Sequence, residues 1–192
     1  MQIVYGGAFN PPTLAHLEVY HFLKRKLPME SFVYLPVSSA YTKRELASNY
    51  HRLNMLELMT QDLPDASISD IEMRDVTFRG TYHSLLRLSD DVVTEVAFVI
   101  GADNIKTLKH WIMAESLLSE FSIIVLGRGG VDVHKIIEND AFLSRYKNTL
   151  KVFNDFDVDV SSTAYREALD ASMVHEAVHR YVMRHQLYKN GR

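Results

Sequence analysis

The stretch that decides the fold reads Ile3-Val4-Tyr5-Gly6-Gly7-Ala8-Phe9-Asn10-Pro11-Pro12-Thr13-Leu14-Ala15-His16. An apolar run leads into two glycines, then into prolines, then into a helical pattern with a histidine in its first turn. A buried strand followed at once by a turn and a helix is the opening half of a βαβ unit. Such a junction suits an anion. Glycines admit close backbone approach, the helix start offers unpaired N–H donors, and the positive end of the helix dipole lies there. Thr13 and His16 stand three residues apart, so both side chains can face one bound group.

Further apolar runs at 32–36, 67–71, 96–100, 123–126 and 150–153 alternate with helical patterns. That rhythm predicts an α/β fold, a doubly wound parallel sheet with helices on both faces. The helix after the first strand should bury Leu14, Leu17, Tyr20 or His21, and Leu23. A second helix is expected over 49–60, capped by Ser48, with Leu53, Leu56 and Met59 on its inner face. Residues 132–147 read as helical but irregular. With 192 residues, 47% of them hydrophobic, one domain over 1–192 is expected, a C-terminal helical segment (about 162–188) packing on it.

Composition removes several classes. A net charge of -3 argues against a nucleic-acid binder. The chain has no cysteine, so disulfide scaffolds and thiolate metal sites are excluded. No apolar run reaches membrane-spanning length. A strand starting at Gln2 leaves no room for a leader, so a cytoplasmic location is expected. The remaining histidines lack metal-ligand spacing. His175 and His179 are four residues apart without an acidic companion, which reads as a solvated helix face, and no protein-held metal is expected.

A second informative block is Asp159-Val160-Ser161-Ser162-Thr163-Ala164-Tyr165-Arg166. Three hydroxyls at a helix start can cap it and donate to phosphate oxygens, and Arg166 lies one turn on from Thr163, within reach of the same anion. Ile100-Gly101-Ala102-Asp103-Asn104 ends a strand with a carboxylate, placed to accept ribose hydroxyls at the mouth of an open sheet.

Residues 7–16 resemble the G-x-F-x-P-x-(H/T)-x-x-H signature of the nucleotidyltransferase superfamily, and 160–166 resemble its I-S-S-T-x-x-R motif with Val160 for isoleucine. Gly101-Ala102-Asp103, Trp111 eight residues later, and the closing Leu187-Tyr188 are similar to the bacterial nicotinate-mononucleotide adenylyltransferases. The resemblance implies a Rossmann-like fold of nucleotidyltransferase type. It also implies adenylyl transfer from ATP to nicotinate mononucleotide, giving deamido-NAD and pyrophosphate.

Carried over residue by residue, His16 would donate to the α-phosphoryl oxygens, with Thr13 and the backbone near Ala8 and Phe9 on the same phosphate. Gly6 and Gly7 would leave room for the nucleotide. Ser161, Ser162, Thr163 and Arg166 would hold the outer phosphates, and Asp103 the adenosine ribose. Lys43 would serve the mononucleotide phosphate, and Trp111 and the loop at Thr81 the pyridine. Mg²⁺ would ride on the ATP phosphates. Arg79-Gly80-Thr81-Tyr82-His83-Ser84-Leu85 departs from the family's S-Y-T-x-D-T-L at Gly80, His83 and Ser84, and Ile112 replaces a common aromatic or histidine. These departures leave nicotinate-versus-nicotinamide preference open. Rival readings are another phosphate acceptor, such as nicotinamide mononucleotide or phosphopantetheine, and a non-catalytic nucleotide-sensing module. A class I aminoacyl-tRNA synthetase fragment would need a K-M-S-K-S-like loop where Ser161-Ser162-Thr163 stands. The sequence is compatible with a homodimer without specifying one.

Overall fold

The computed structural model describes residues 1–39, 46–90, 92–127 and 130–189. In chain order the elements are β1 (Gln2–Gly7), α1 (Leu14–Lys26), β2 (Ser31–Pro36), α2 (Asn49–Thr60), β3 (Ala66–Ile68), α3 (Ile71–Arg74), α4 (Thr81–Ser89), β4 (Val96–Gly101), α5 (Ala114–Glu120), β5 (Ser122–Leu126), α6 (Val133–Asn139), β6 (Leu150–Phe153), α7 (Ser162–Ala168) and α8 (Glu176–Arg184). The strands are hydrogen-bonded in the order β3-β2-β1-β4-β5-β6. The order reverses at the β1–β4 pair, the switch point outside whose strand ends ligands bind in open α/β sheets.

By internal contacts the chain divides into two compact units. The first comprises Met1–Gly6, Met29–Ser31 and Phe78–Asp157. Within it β1 pairs in parallel with β4 (Gln2↔Val96 through Tyr5↔Val99), β4 with β5, and β5 with β6. Val96 to Ile100 and Ile123 to Leu126 are buried throughout, as parallel strands covered on both faces must be.

The second unit comprises Gly7–Pro28, Phe32–Thr77 and Val158–Arg192. Here β2 pairs in parallel with β3. Phe32 and Tyr34 of β2, Tyr20 and Leu23 of α1, Met55 and Leu56 of α2, Tyr165 of α7 and Val178 and Val182 of α8 are fully buried.

Several expectations are corrected. Gly6 and Gly7 belong to β1 rather than to a turn; the left-handed residue of the turn is Phe9, with φ +46°. The strand expected at 67–71 is Ala66–Ile68, and Ile71 opens α3, where Asp70 and Arg74 pair one helical turn apart at 2.8 Å. On α1 the buried face is Val19, Tyr20, Phe22 and Leu23; Leu14 and Leu17 are half-exposed. On α2 it is Arg52, Met55, Leu56, Met59 and Thr60; Leu56 and Met59 are buried as expected, while Leu53 is only half-buried. The irregular 132–147 stretch breaks at Asp140. Its carboxylate accepts the Phe142 and Leu143 N–H groups at 2.9 and 3.2 Å, starting the 3-10 turn Leu143–Thr149. His175 and His179 are not a solvated face either. His175 Nδ1 caps α8 by accepting the Ala177 N–H, and His179 Nδ1 lies 3.0 Å from the hydroxyl of buried Tyr165.

Candidate functional site

In the second unit, α1 starts at a fully buried N-cap, Thr13, in extended conformation (φ −117°, ψ 172°). His16 occupies the third helical position and folds back. The Thr13 backbone N–H donates to His16 Nδ1 at 2.8 Å, and the Thr13 hydroxyl lies 2.9 Å from the same nitrogen. This is a capping box with histidine in the place usually held by Glu or Gln. Its chemical consequence is a tautomer. A nitrogen that accepts a backbone N–H carries no proton, so the neutral ring bears its proton on Nε2 and is a donor there. The first turn of α1 carries no acidic side chain, while Lys24, Arg25 and Lys26 occupy its last turn. The positive end of the helix therefore has no carboxylate of its own to neutralise it.

The turn before α1 is packed by its own aromatic ring. Phe9 lies edge-on to His16 with centroids 5.0 Å apart. A Cβ on Gly7 would fall 3.1 Å from Phe9 Cζ. A larger residue there would press on the ring, so Gly7 suits the packing of Phe9. Tyr34 on β2 donates its hydroxyl to the His16 carbonyl at 3.2 Å.

The hydroxyl block at α7 divides its labour. Ser161 is the N-cap, its Oγ accepting the Ala164 N–H at 3.1 Å. Ser162 Oγ donates to the Pro11 carbonyl at 2.8 Å, and Arg166 donates to the Asn10 carbonyl at 2.7 Å and to Thr163 Oγ1 at 3.2 Å. The start of α7 is thereby stitched to the turn that precedes α1. The Asn10 side chain completes the seam, its Oδ1 accepting the Ala47 N–H at 3.0 Å and the Tyr188 hydroxyl at 2.9 Å. Burial raises the Tyr188 phenol well above its ordinary range and pushes Tyr165 up to about 12, so both remain protonated donors.

In the first unit, β4 ends at Gly101 and passes into the 3-10 turn Ala102–Asn104. Asp103 is exposed, and its carboxylate curls over Gly101 so closely that a Cβ there would sit 2.4 Å from Oδ1. Trp111 is half-buried and meets Phe98 edge-on at 6.3 Å, so it is not a core tryptophan. Thr81 opens α4 behind Gly80. Gly80 has φ +95°, and a Cβ there would lie 2.7 Å from Ile112 Cβ. Two of the departures from the family pattern, Gly80 and Ile112, therefore fit each other. Lys43 lies outside the described residues. Among the described residues no three His, Asp or Glu side chains are grouped to hold a metal ion, and no helix is long and apolar enough to cross a membrane.

Sequence reasoning gave no role to Asn10 or Arg52 and marked Tyr188 only through the closing Leu187-Tyr188, yet all three bear on this turn. Asn10 read as punctuation before proline. The available signal for Arg52 was an arginine at the head of the stripe Arg52-Met55-Leu56-Met59, a helical spacing that buries it.

A sequence model of the cytidylyltransferase-like family matches residues 4–168. A protein of Acholeplasma laidlawii named probable nicotinate-nucleotide adenylyltransferase is 33% identical over 98% of this chain and 98% of its own. One of the same name from Dehalococcoides mccartyi is 28% identical over 96% and 95%. Among solved structures, the nicotinic acid mononucleotide adenylyltransferase of Plasmodium falciparum complexed with NaAD superposes with a TM-score of 0.77 at 19% identity. It covers 97% of this chain and 96% of its own. At that identity the superposition speaks for the fold.

Proposed function

From the premise that the chain belongs to the cytidylyltransferase-like family, we propose that it is a nicotinate-nucleotide adenylyltransferase, moving the adenylyl group of ATP to nicotinate mononucleotide. The phosphate of the mononucleotide attacks the α-phosphorus in line. A phosphorus–oxygen bond forms there, the bond to the α,β-bridging oxygen breaks, and pyrophosphate leaves with the electron pair. The attacking phosphate is already anionic, so no general base is required. The work is positioning plus stabilisation of charge on the α-phosphoryl group.

The observation that carries this reading is the pre-oriented His16. Its Nδ1 is occupied by the cap of its own helix, so Nε2 is a fixed donor at a helix start, suited to α-phosphoryl oxygens as charge builds there. Thr13 and the backbone at Ala8 and Phe9 serve the same phosphate. Arg166, with three of its five N–H donors beyond the bonds to Asn10 and Thr163, serves the outer phosphates together with Thr163 and with Ser162, whose hydroxyl must leave the Pro11 carbonyl to donate there. Asp103 takes the adenosine ribose, Trp111 and Thr81 the pyridine, and Lys43 the mononucleotide phosphate. Magnesium enters as part of the substrate, on the triphosphate oxygens.

The test is pyrophosphate release with ATP and Mg²⁺ against three acceptors. Release with nicotinate mononucleotide in large excess over nicotinamide mononucleotide supports the reading. Comparable use of both means that the Gly80–Ile112 pairing has relaxed base recognition. Activity only with phosphopantetheine overturns it.

A further inference from the structure

Among the described residues Arg52 is the largest side chain fully excluded from solvent. It stands in the first turn of α2, and each of its three nitrogens is bonded. Nε donates to the Ala47 carbonyl at 3.1 Å and Nη1 to the Ala8 carbonyl at 2.7 Å. Nη2 donates to the Val37 carbonyl at 2.6 Å and to Asn49 Oδ1 at 2.8 Å. All four acceptors are neutral. Burial lowers the guanidinium pKa to about 10, a sign that enclosing this charge is unfavourable. A methionine would fill the space without that penalty, so its retention asks for a function.

The acceptors answer it. Ala8 lies in the turn before α1, Val37 follows the end of β2, and Ala47 precedes α2. Val37 and Ala47 therefore bracket the chain segment that contains Lys43. The guanidinium ties Val37 and Ala47 to the turn before α1 through a planar fork of fixed geometry.

The bond to Ala8 has a further effect. The Ala8–Phe9 peptide is trans, and in a trans peptide the C=O and the next N–H point in opposite directions. Holding the Ala8 carbonyl on Arg52 directs the Phe9 N–H to the other side of the turn. Phe9 itself has φ +46°, a left-handed conformation that a bulky residue keeps only when its surroundings impose it. Arg52 on the carbonyl before it, and the ring packed on Gly7, impose it.

We propose that Arg52 is a positioning residue for the transfer reaction. It locks the Ala8–Phe9 peptide with its N–H turned towards the place of the α-phosphate, and it registers that turn with Val37, just past the end of β2, and Ala47, just before the start of α2. This rests on the proposed function, which the wild-type assay tests first.

The experiment compares Arg52→Lys, Asn49→Ala and, as a control for simple loosening of α2, Thr60→Ala. Thr60 is buried at the far end of the same helix, and its hydroxyl donates to the Leu56 carbonyl at 2.9 Å. Per folded molecule, counted by active-site titration, Arg52→Lys should lower kcat by roughly tenfold to a hundredfold, as a displacement of about 1 Å does. KM should rise for both substrates. Asn49→Ala, which keeps the arginine but removes the oxygen shared by its Nη2 and the Ser39 N–H, should show a smaller loss of the same kind. Thr60→Ala should be less stable with kcat per folded molecule unchanged. A purely structural Arg52 would give fewer folded molecules with wild-type kcat and KM, and that result overturns the proposal. Should Arg52→Lys fail to fold, Asn49→Ala carries the test alone, and wild-type kinetics there refutes it. Should the wild type be silent with nicotinate mononucleotide, the function reading fails. The proposal is then judged by affinity for α,β-methylene ATP, where unchanged binding in Arg52→Lys and Asn49→Ala refutes it.

Discussion

Replacing His16 separates its two duties, because one nitrogen serves the helix and the other the substrate. In His16→Ala both are lost. The Thr13 N–H, at a residue with no exposed surface, loses its 2.8 Å acceptor, and an unpaired buried donor costs about 1–3 kcal/mol of stability. Loss of the Nε2 donor should lower kcat by about a hundredfold to a thousandfold, roughly 3–4 kcal/mol of transition-state stabilisation. His16→Gln separates the two. Glutamine is a customary partner at the third position of a capping box, so its amide oxygen can take the Thr13 N–H and recover most of the stability while the donor at Nε2 stays missing. The assay is pyrophosphate release for kcat and KM, beside urea unfolding for stability. Both variants should lose kcat alike, with ATP affinity falling far less than rate, and only the alanine variant should lose stability. Equal losses in ATP affinity and in rate, or a glutamine variant with full kcat, would refute the reasoning.

Three other changes have defined outcomes. Gly101→Ala puts a methyl group where Asp103 Oδ1 now sits, 2.4 Å away; displacing that carboxylate should raise KM for ATP severalfold while leaving KM for the mononucleotide nearly unchanged, and an unaltered ATP KM would remove Asp103 from ribose binding. Gly80→Ala meets both the +95° φ and the Ile112 Cβ at 2.7 Å, so it should lose about 1–3 kcal/mol by urea unfolding, and adding Ile112→Gly, which removes that Cβ, should relieve only the steric share. His51, between α2 and α8, is held below its ordinary pKa first by burial and then by the neighbouring His185, and its Nδ1 lies 2.9 Å from the Tyr181 hydroxyl. A histidine with a depressed folded pKa takes up its proton more readily in the unfolded chain. Its contribution is therefore complete above about 6.5 and declines as pH falls below that value. His51→Gln should flatten the thermal midpoint's dependence on pH below about 6.5, and an unchanged slope would contradict the assignment.

The sheet was legible because buried parallel strands write themselves as short apolar runs. Five of the six lay within two residues of their expected bounds, and 150–153 and helix 49–60 matched theirs. The exception, 67–71, failed because Asp70 and Arg74 favour a helical turn after Ile68. Helix faces were less legible. Leu14, Leu17 and Leu53 looked like core residues but lie half-exposed, since tertiary packing rather than residue type sets the phase of an amphipathic helix. At the site, the motifs pointed to His16, Ser162 and Arg166, yet not to what these groups do before any ligand arrives. Nδ1 of His16 capping its own helix, and Ser162 and Arg166 holding the carbonyls of Pro11 and Asn10, are relations between segments up to 156 positions apart. A linear pattern cannot express them. Arg52 was hidden for the same reason, its partners being backbone carbonyls that carry no sequence signal.

The most direct test of adenylyl transfer follows the label. ATP radiolabelled at the α-phosphorus, incubated with Mg²⁺ and nicotinate mononucleotide, should deliver its label to a dinucleotide of the mass of deamido-NAD, with one pyrophosphate released per dinucleotide. Label recovered as AMP or ADP without dinucleotide would contradict the account.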